Sequence, residues 1–374
     1  MRPHAFARAR GREPRELAPA LVAELEPGLE DATLGFIYVT DALADRLEPL
    51  VRLLRSATGV AHWVGTVGAG IVAGDREFYE EPAVAAMLTD VPAEGFRLLP
   101  PGGPALDGFL GTQWGWLEAH PLNVGLVHAD PTDPLTPSLL QRIETEVPGA
   151  FLVGGLGSGE RAGLQIAGPV GRGGVSGVFL DPALVAVTVD HTQGCTPMGE
   201  THRITSCDRN IVAELDGRPA LEVLREAVGE VLAKDLRRAA GYIFAGFPVP
   251  GSDTGDYLVR NLLGIDPEAG RIAVGDHVRP GQRMMFCRRD GNTAREDLDR
   301  MLERIRDRLP GAPRGALYFS CLGRGRHQFG PNGEEARTVA AALGPDVPLV
   351  GFFCNGEIYA NRLYGYTGVL AVFT

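Results

Sequence analysis

The sequence predicts an α/β protein of two related halves, in which mixed β-sheets covered by helices are built from repeated βαβ units with Gly-rich turns. Two observations lead to this prediction. The chain has 374 residues, which is more than one compact core usually holds. One layout also recurs three times along it: an apolar strand, a segment with apolar residues at helical spacing, and a second apolar strand.

The repeat is clearest at the end of the second strand of each copy. The three Gly-rich stretches are residues 64–70, 153–159 and 350–356, and each begins with Val-Gly and carries another glycine five positions after the first. The strands that precede them are predicted at 35–40, 124–129 and 316–320. The first two copies have the same length between strand and Val-Gly, and the third is six residues longer.

A strand–helix–strand crossover places its two strands parallel, so both carboxyl ends meet at one edge of the sheet. Ligands of open α/β sheets bind at such edges. Further extended segments, such as 174–180 and 366–373, predict antiparallel strands added to the parallel pairs. We therefore expect mixed sheets, with functional side chains at a carboxyl edge.

The middle of the chain is predicted to separate the two halves. Extended segments at 183–189, 201–205 and 210–215 are followed by a turn at Asp216-Gly217, and Pro219 opens a helix. This gives an N-terminal domain at 1–215, with a tail at about 1–16, and a C-terminal domain at 216–374.

Composition narrows the function classes. The chain has 47 acidic and 36 basic residues, a net charge of -11, so nucleic acid is not an expected partner. A membrane partner is not expected either, since no apolar run reaches about 18 residues. The first residues lack the apolar stretch of a secretory signal, and the five cysteines form no CxxC pair, which favours a cytoplasmic location. No cofactor is expected, and no metal, because His191, His202 and Cys207 match no zinc spacing.

Several short segments resemble the signatures of the FIST family. They are residues 194–199 and 214–221 in the middle of the chain, and 319–325, 347–352, 355–358 and 366–367 toward its end. The resemblance spans about residues 35–374 and includes an N-terminal and a C-terminal FIST domain. It implies a sensory or signal-transduction module that binds small ligands, amino acids among them, and it implies no catalytic residues. The chain has no space for a separate output domain, so a signalling partner protein is expected.

The third copy has the most polar carboxyl edge, because its extra residues fall beside two arginines and a glutamate follows its Gly-rich stretch. The candidate ligand-binding residues are Arg324, Arg326, Cys354, Asn355, Gly356 and Glu357. An arginine fork binds a carboxylate through two parallel hydrogen bonds, and Glu357 could pair with an amine. This combination predicts an amino acid or a similar small carboxylate as the ligand.

Two other functions stay open. A hydrolase or transferase would use Cys321 as nucleophile with His327 as its base, or Cys195 activated by the nearby Arg203. An adaptor for another protein would instead present a large apolar patch. Small buried cysteines are far commoner than catalytic ones, so a sensor is favoured over an enzyme.

Overall fold

The computed structural model describes residues 4–233, 241–250 and 256–374. The chain forms two compact units. One consists of the residues up to Thr192 together with Asp297–Thr374, and the other of Gln193–Glu296. The predicted α/β class, with mixed sheets and helices, is confirmed. Among the described residues, no helix is long and apolar enough to cross a membrane.

The helices and strands of the described residues follow the chain in this order. The helices are α1 (Pro14–Leu25), α2 (Leu47–Thr58), α3 (Ala105–Ala119), α4 (Thr136–Glu146), α5 (Ala220–Ala233), α6 (Gly291–Arg308) and α7 (Glu334–Leu343). The strands are β1 (Ala5–Arg10), β2 (Leu34–Thr40), β3 (His62–Gly68), β4 (Gly70–Ala73), β5 (Arg76–Tyr79), β6 (Ala83–Thr89), β7 (Phe96–Leu99), β8 (Asn123–Ala129), β9 (Ala150–Leu156), β10 (Leu164–Ala167), β11 (Val170–Arg172), β12 (Val175–Leu180), β13 (Val187–Gln193), β14 (Cys195–Asp208), β15 (Ile211–Leu215), β16 (Arg218–Pro219), β17 (Ile243–Pro248), β18 (Tyr257–Asp266), β19 (Arg271–Val274), β20 (Arg283–Arg289), β21 (Gly315–Cys321), β22 (Leu349–Cys354), β23 (Glu357–Tyr359), β24 (Arg362–Tyr364) and β25 (Thr367–Phe373).

The first unit holds three sheets of the same plan. Sheet A has the order β1-β6-β2-β3-β10-β11, sheet B β7-β12-β8-β9-β23-β24, and sheet C β13-β25-β21-β22-β4-β5. At the centre of each sheet lies one parallel pair joined through a helix: β2 and β3, β8 and β9, and β21 and β22. An antiparallel strand flanks the pair on each side. The architecture therefore differs from two related halves, since three like sheets share one unit.

The three sheets exchange hairpins in a closed cycle. The hairpin β4–β5 follows β3 of sheet A along the chain but pairs with β22 in sheet C. The hairpin β10–β11 follows β9 of sheet B and pairs with β3 in sheet A, and β23–β24 follows β22 of sheet C and pairs with β9 in sheet B. Each sheet is thus completed by chain from another copy.

The glycine of each Val-Gly pair lies inside a strand, whereas the sequence suggested a turn. A Cβ atom on Gly65, Gly154 or Gly351 would lie 1.7–1.8 Å from the carbonyl oxygen of a residue on the parallel neighbour. That distance is far below van der Waals contact, so the backbones approach too closely for any side chain. The repeated glycine therefore serves sheet packing.

The apolar interior of the first unit has separate parts. A central core gathers side chains from all three sheets, including Tyr38, Val64, Leu126, Val153, Phe319 and Phe352. A second cluster joins α1 and α2 to sheet A, and a third joins α3 and α4 to sheet B. Leu47, Leu50 and Leu54 of α2 are buried in the second cluster, as the period of an amphipathic helix requires.

The first residues form an edge strand instead of a tail. Residues 5–10 pair with β6 along their whole length. Ala5, Ala7 and Ala9 pack against the cluster under α1 and α2, while Phe6 packs against the central core on the opposite face. This alternation is the period of a strand, and the arginines between the alanines obscure it in the sequence.

The second unit is an antiparallel sheet with the order β14-β20-β17-β18-β19-β15-β16, and β14 also pairs with β15. These pairings close the sheet into a ring, which α5 packs against through Leu221 and Leu224. The predicted boundary at Asp216-Gly217 lies at a turn between the paired strands β15 and β16, within this unit.

Candidate functional site

The candidate site is built around a buried ion pair at the carboxyl edge of sheet C. Arg324 and Glu335 are both fully buried, and Arg324 Nε donates to Glu335 Oε1 at 2.7 Å. The same carboxylate accepts from Tyr318 Oη at 2.7 Å, from Ser320 Oγ at 3.1 Å and, through Oε2, from the amide of Gly325 at 2.7 Å. Glu335 therefore accepts four hydrogen bonds, and it fixes the arginine in place.

The terminal nitrogens of the Arg324 guanidinium lie in a buried setting. The guanidinium carbon Cζ lies 4.9 Å from the centre of the Phe329 ring, within the range of a cation–π interaction. Among the residues that the structure describes, Nη1 and Nη2 are buried without a hydrogen-bond partner. Burial alone would lower the pKa of Arg324, but Glu335 and Tyr318 outweigh it and raise that pKa, so the group stays charged.

Helix α7 brings Glu335 to this position. It begins after Gly333, whose φ is 72°, and its first turn carries Glu334 and Glu335, where acidic side chains favour the helix dipole. Glu335 shares one face with the buried Val339 and Leu343 at four-residue spacing. That spacing is a signal in the sequence for a buried glutamate, although Glu335 is not among the predicted site residues.

Gly325 is required by the turn that presents Arg324. Its φ is 46°, and a Cβ atom there would lie 2.1 Å from Tyr79 Oη. Tyr79 and Glu77 belong to the hairpin β4–β5 from the first copy, and Tyr79 Oη donates to Glu77 Oε2 at 2.8 Å. Burial and the nearby charge of Glu335 raise the pKa of Glu77 to about 7. The site thus contains residues of two copies.

Glu357 is the second buried acid of the predicted set. Its Oε2 accepts from the amide of Thr367 at 3.1 Å and from Thr367 Oγ1 at 2.7 Å. Its Oε1 is buried and, in the described part of the chain, has no hydrogen-bond partner of ordinary geometry. Burial raises the pKa of Glu357 to about 8, although the bonds from Thr367, the positive charge of Arg324 and the nearby Cys321 thiol lower it. At neutral pH most of this carboxyl is protonated.

The two thiols beside Glu357 end neighbouring strands. Cys321 and Cys354 are register partners at the ends of β21 and β22. Burial raises the pKa of both thiols, and the charge of Glu357 raises it further. A buried thiol in its neutral form is a poor nucleophile. His327 is exposed, with Nε2 3.5 Å from Arg326 Nε, and Cys195 is buried in β14 of the second unit.

The remaining predicted ligand-binding residues face other surroundings. Arg326 stacks on the Tyr79 ring at 4.5 Å and pairs with the exposed Glu80. Asn355 is exposed, and its amide donates to the carbonyl of Leu156 at 3.0 Å. Gly356 has a φ of 128° and accepts from the amide of Leu156 at 2.9 Å. The structure therefore brings Arg324, Glu357 and the two thiols together and places Arg326 at the surface.

Fold and site together define an α/β protein with three like mixed sheets and a buried ion pair at one carboxyl edge. The FIST N domain matches residues 33–218, and the FIST C domain matches residues 220–360. The chain belongs to the FIST family, and the resemblance found in the sequence is confirmed. Membership indicates a role in sensing or signal transduction.

The chain also resembles curated mycobacterial proteins over most of its length. An uncharacterized protein of Mycobacterium tuberculosis is 36% identical over 348 residues, which span 88% of this chain and 88% of that protein. An uncharacterized protein of Mycobacterium bovis is 35% identical over 359 residues, which span 91% of this chain and 89% of its own length.

Proposed function

We propose that this protein is a sensory module whose ligand is a small carboxylate, an amino acid or a similar compound, bound at Arg324. The observation behind this proposal is the pair of buried guanidinium nitrogens that have no partner among the described residues. Buried polar groups in proteins are normally hydrogen-bonded, and an arginine fork fits a carboxylate. The sensory role in this proposal comes from membership of the FIST family.

The construction of the site suits a sensor. Arg324 follows a strand of sheet C, whereas Glu357 begins the hairpin that completes sheet B. A ligand that contacts both groups would favour one arrangement of these two sheets over others, and such differential binding is what shifts a conformational equilibrium. The signal would pass to a separate partner protein. A cytoplasmic location stays a prediction.

A thermal-shift screen against amino acids and small carboxylates tests the proposal. A ligand present at about 100 times its Kd stabilises the native state by about 2.7 kcal/mol and raises the melting temperature. The informative variant is Arg324→Lys, because lysine keeps the charge opposite Glu335 and loses the nitrogens Nη1 and Nη2 with their four donors.

The matched control is Arg326→Lys, two residues along the chain and paired with Glu80 at the surface. We expect a ligand to stabilise the parent and the Arg326→Lys variant, and to lose this effect in Arg324→Lys. Equal stabilisation of all three proteins would move the ligand away from Arg324. The absence of any stabilising compound would contradict ligand binding of this class.

A further inference from the structure

The hydrogen-bonding pattern of the site restricts the chemistry of its ligand. Arginine has five N–H donors, and Nε uses one of them on Glu335. Four donors on Nη1 and Nη2 therefore remain in a buried setting. Glu335 already accepts four hydrogen bonds, from Tyr318, Ser320, Arg324 and Gly325. A ligand at Arg324 therefore meets mainly donors.

Glu357 completes this pattern through the position of its proton. Oε2 accepts two hydrogen bonds from Thr367, so it is the poorer place for an acid proton. The proton of the neutral carboxyl then sits on Oε1, the oxygen that is buried without a partner in the described residues. Oε1 is a donor in this form. Burial favours the protonated carboxyl, because desolvation disfavours the charged carboxylate.

The groups that face Glu357 give an incoming amine no compensating charge. Arg324 contributes a positive charge, and Cys321 and Cys354 contribute neutral thiols. Its cross-strand neighbours are Gly155 on β9 and Tyr364 on β24. An ammonium group would meet the arginine charge and a neutral acid, whereas a carboxylate would meet several donors.

We propose that this site selects small carboxylates without an amine over amino acids, and that Glu357 binds them in its acid form by donating from Oε1. The inference rests on the proposed function, since it presumes a small ligand at Arg324. It narrows that ligand to compounds that present hydrogen-bond acceptors only. It also makes binding dependent on pH, because ionised Glu357 would repel the carboxylate and lose its donor.

Isobutyrate and alanine form a suitable pair of probes, because a methyl group in one replaces the ammonium group of the other. We expect calorimetric titration of the full chain at pH 7 to give at least about tenfold tighter binding of isobutyrate. Above about pH 8 the affinity for isobutyrate should fall by about tenfold for each pH unit. Inorganic phosphate, an oxyanion of different shape, tests whether the site prefers carboxylates.

Two variants separate the contribution of Glu357 from other pH effects. Glu357→Gln carries an amide donor at every pH, so the decline in affinity above pH 8 should disappear. Glu160→Gln is the control, since Glu160 lies at the same distance after the Val-Gly of the second copy and is exposed; its decline should match the parent.

The outcomes distinguish this inference from the proposed function. Tighter binding of alanine, or an affinity for isobutyrate that is independent of pH in the parent, overturns the inference and leaves the proposed function intact. Stronger binding of phosphate than of isobutyrate overturns the choice of carboxylate. If neither carboxylates nor amino acids bind, both proposals fall. A carbon NMR titration of Glu357 in the ligand-free protein adds a readout without ligand, and ionisation below pH 6 would overturn the inference.

Discussion

The carboxyl edges of sheets B and C have the same backbone plan and very different side chains. In sheet C the loop after β21 carries Arg324, which is buried against Glu335. In sheet B the loop after β8 carries Asp130, whose side chain accepts from the amide and hydroxyl of Thr132 at 2.8 and 2.7 Å. Beside it lies a cavity of about 420 Å³, half of whose lining residues are prolines and leucines and half of which are polar or acidic.

Two glutamates show how this difference arises. Glu160 and Glu357 both stand six positions after the glycine of a Val-Gly pair, yet Glu160 is exposed and Glu357 is fully buried. The third copy has six more residues between strand and Val-Gly, and Arg324 and Phe329 lie in the longer loop. The repeat therefore provides a frame, and the longer loop of the third copy places a buried ion pair at its edge.

The largest expected difference between the two edges is in stability, because only the edge of sheet C contains a buried charge that a substitution can leave unpaired. Glu335→Ala leaves Arg324 buried without its partner and should lower the free energy of unfolding by about 3–5 kcal/mol. The counterpart at the start of α4 is Thr136→Val, which removes a hydrogen bond to the carbonyl of Asp130 and should cost about 1 kcal/mol. Urea denaturation measures both. Similar values for the two variants would show that the edges are energetically alike.

The next effect concerns the pH dependence that Glu357 gives to stability. Its pKa rises from 4.5 to about 8 on folding, so the folded state holds the proton more tightly. Its contribution is complete below about pH 4 and is lost as the pH rises to about 8. Between pH 5 and 8.5, Glu357→Gln should gain on the order of 3 kcal/mol relative to the parent. Denaturation at several pH values checks this, and a constant difference between the proteins would refute it.

A smaller loss of stability, caused by adding a side chain at the Val-Gly glycine, should be the same in sheets B and C. Gly154→Ala and Gly351→Ala each force a Cβ atom against a neighbouring carbonyl and should cost about 1–3 kcal/mol. Gly111→Ala is the control, because its Cβ position on α3 is open, and it should stabilise the protein by about 0.5–1 kcal/mol. Thermal denaturation is sufficient. A tolerated alanine at Gly351 alone would mean that the third copy can open its parallel pair.

The smallest expected change in stability comes from removing the Thr367 hydroxyl, which donates a hydrogen bond to Glu357. Thr367→Val removes the bond from Oγ1 to Oε2 and leaves the amide bond. The ionised form of Glu357 loses a donor, so its pKa should rise and stability above pH 8 should fall by about 1 kcal/mol. Thr367→Ser retains the hydroxyl and should keep the pH profile of the parent. A profile for Thr367→Val that matches the serine variant would count against this bond.

Much of the site could be predicted from the sequence because its backbone frame is repeated. Apolar periodicity placed the parallel strands, and parallel strands direct Arg324 and Glu357 to one edge. The sequence periodicity does not predict where a loop side chain points. Arg326 was therefore predicted to bind the ligand together with Arg324, whereas the structure stacks it on Tyr79 at the surface. Glu77 and Tyr79 were missed for another reason. They reach the site through hairpin exchange, and no local pattern in the sequence indicates which sheet a hairpin joins.

The hairpin cycle also limits how the chain can be divided in the laboratory. The two FIST matches meet near residue 219, which invites expression of each as a separate fragment. The C-terminal fragment would then lack β4 and leave β22 with a bare edge, while the N-terminal fragment would lack β23 and leave β9 in the same condition. Bare strand edges pair with other chains and aggregate. Fragments mixed before refolding should complement each other, and each alone should precipitate.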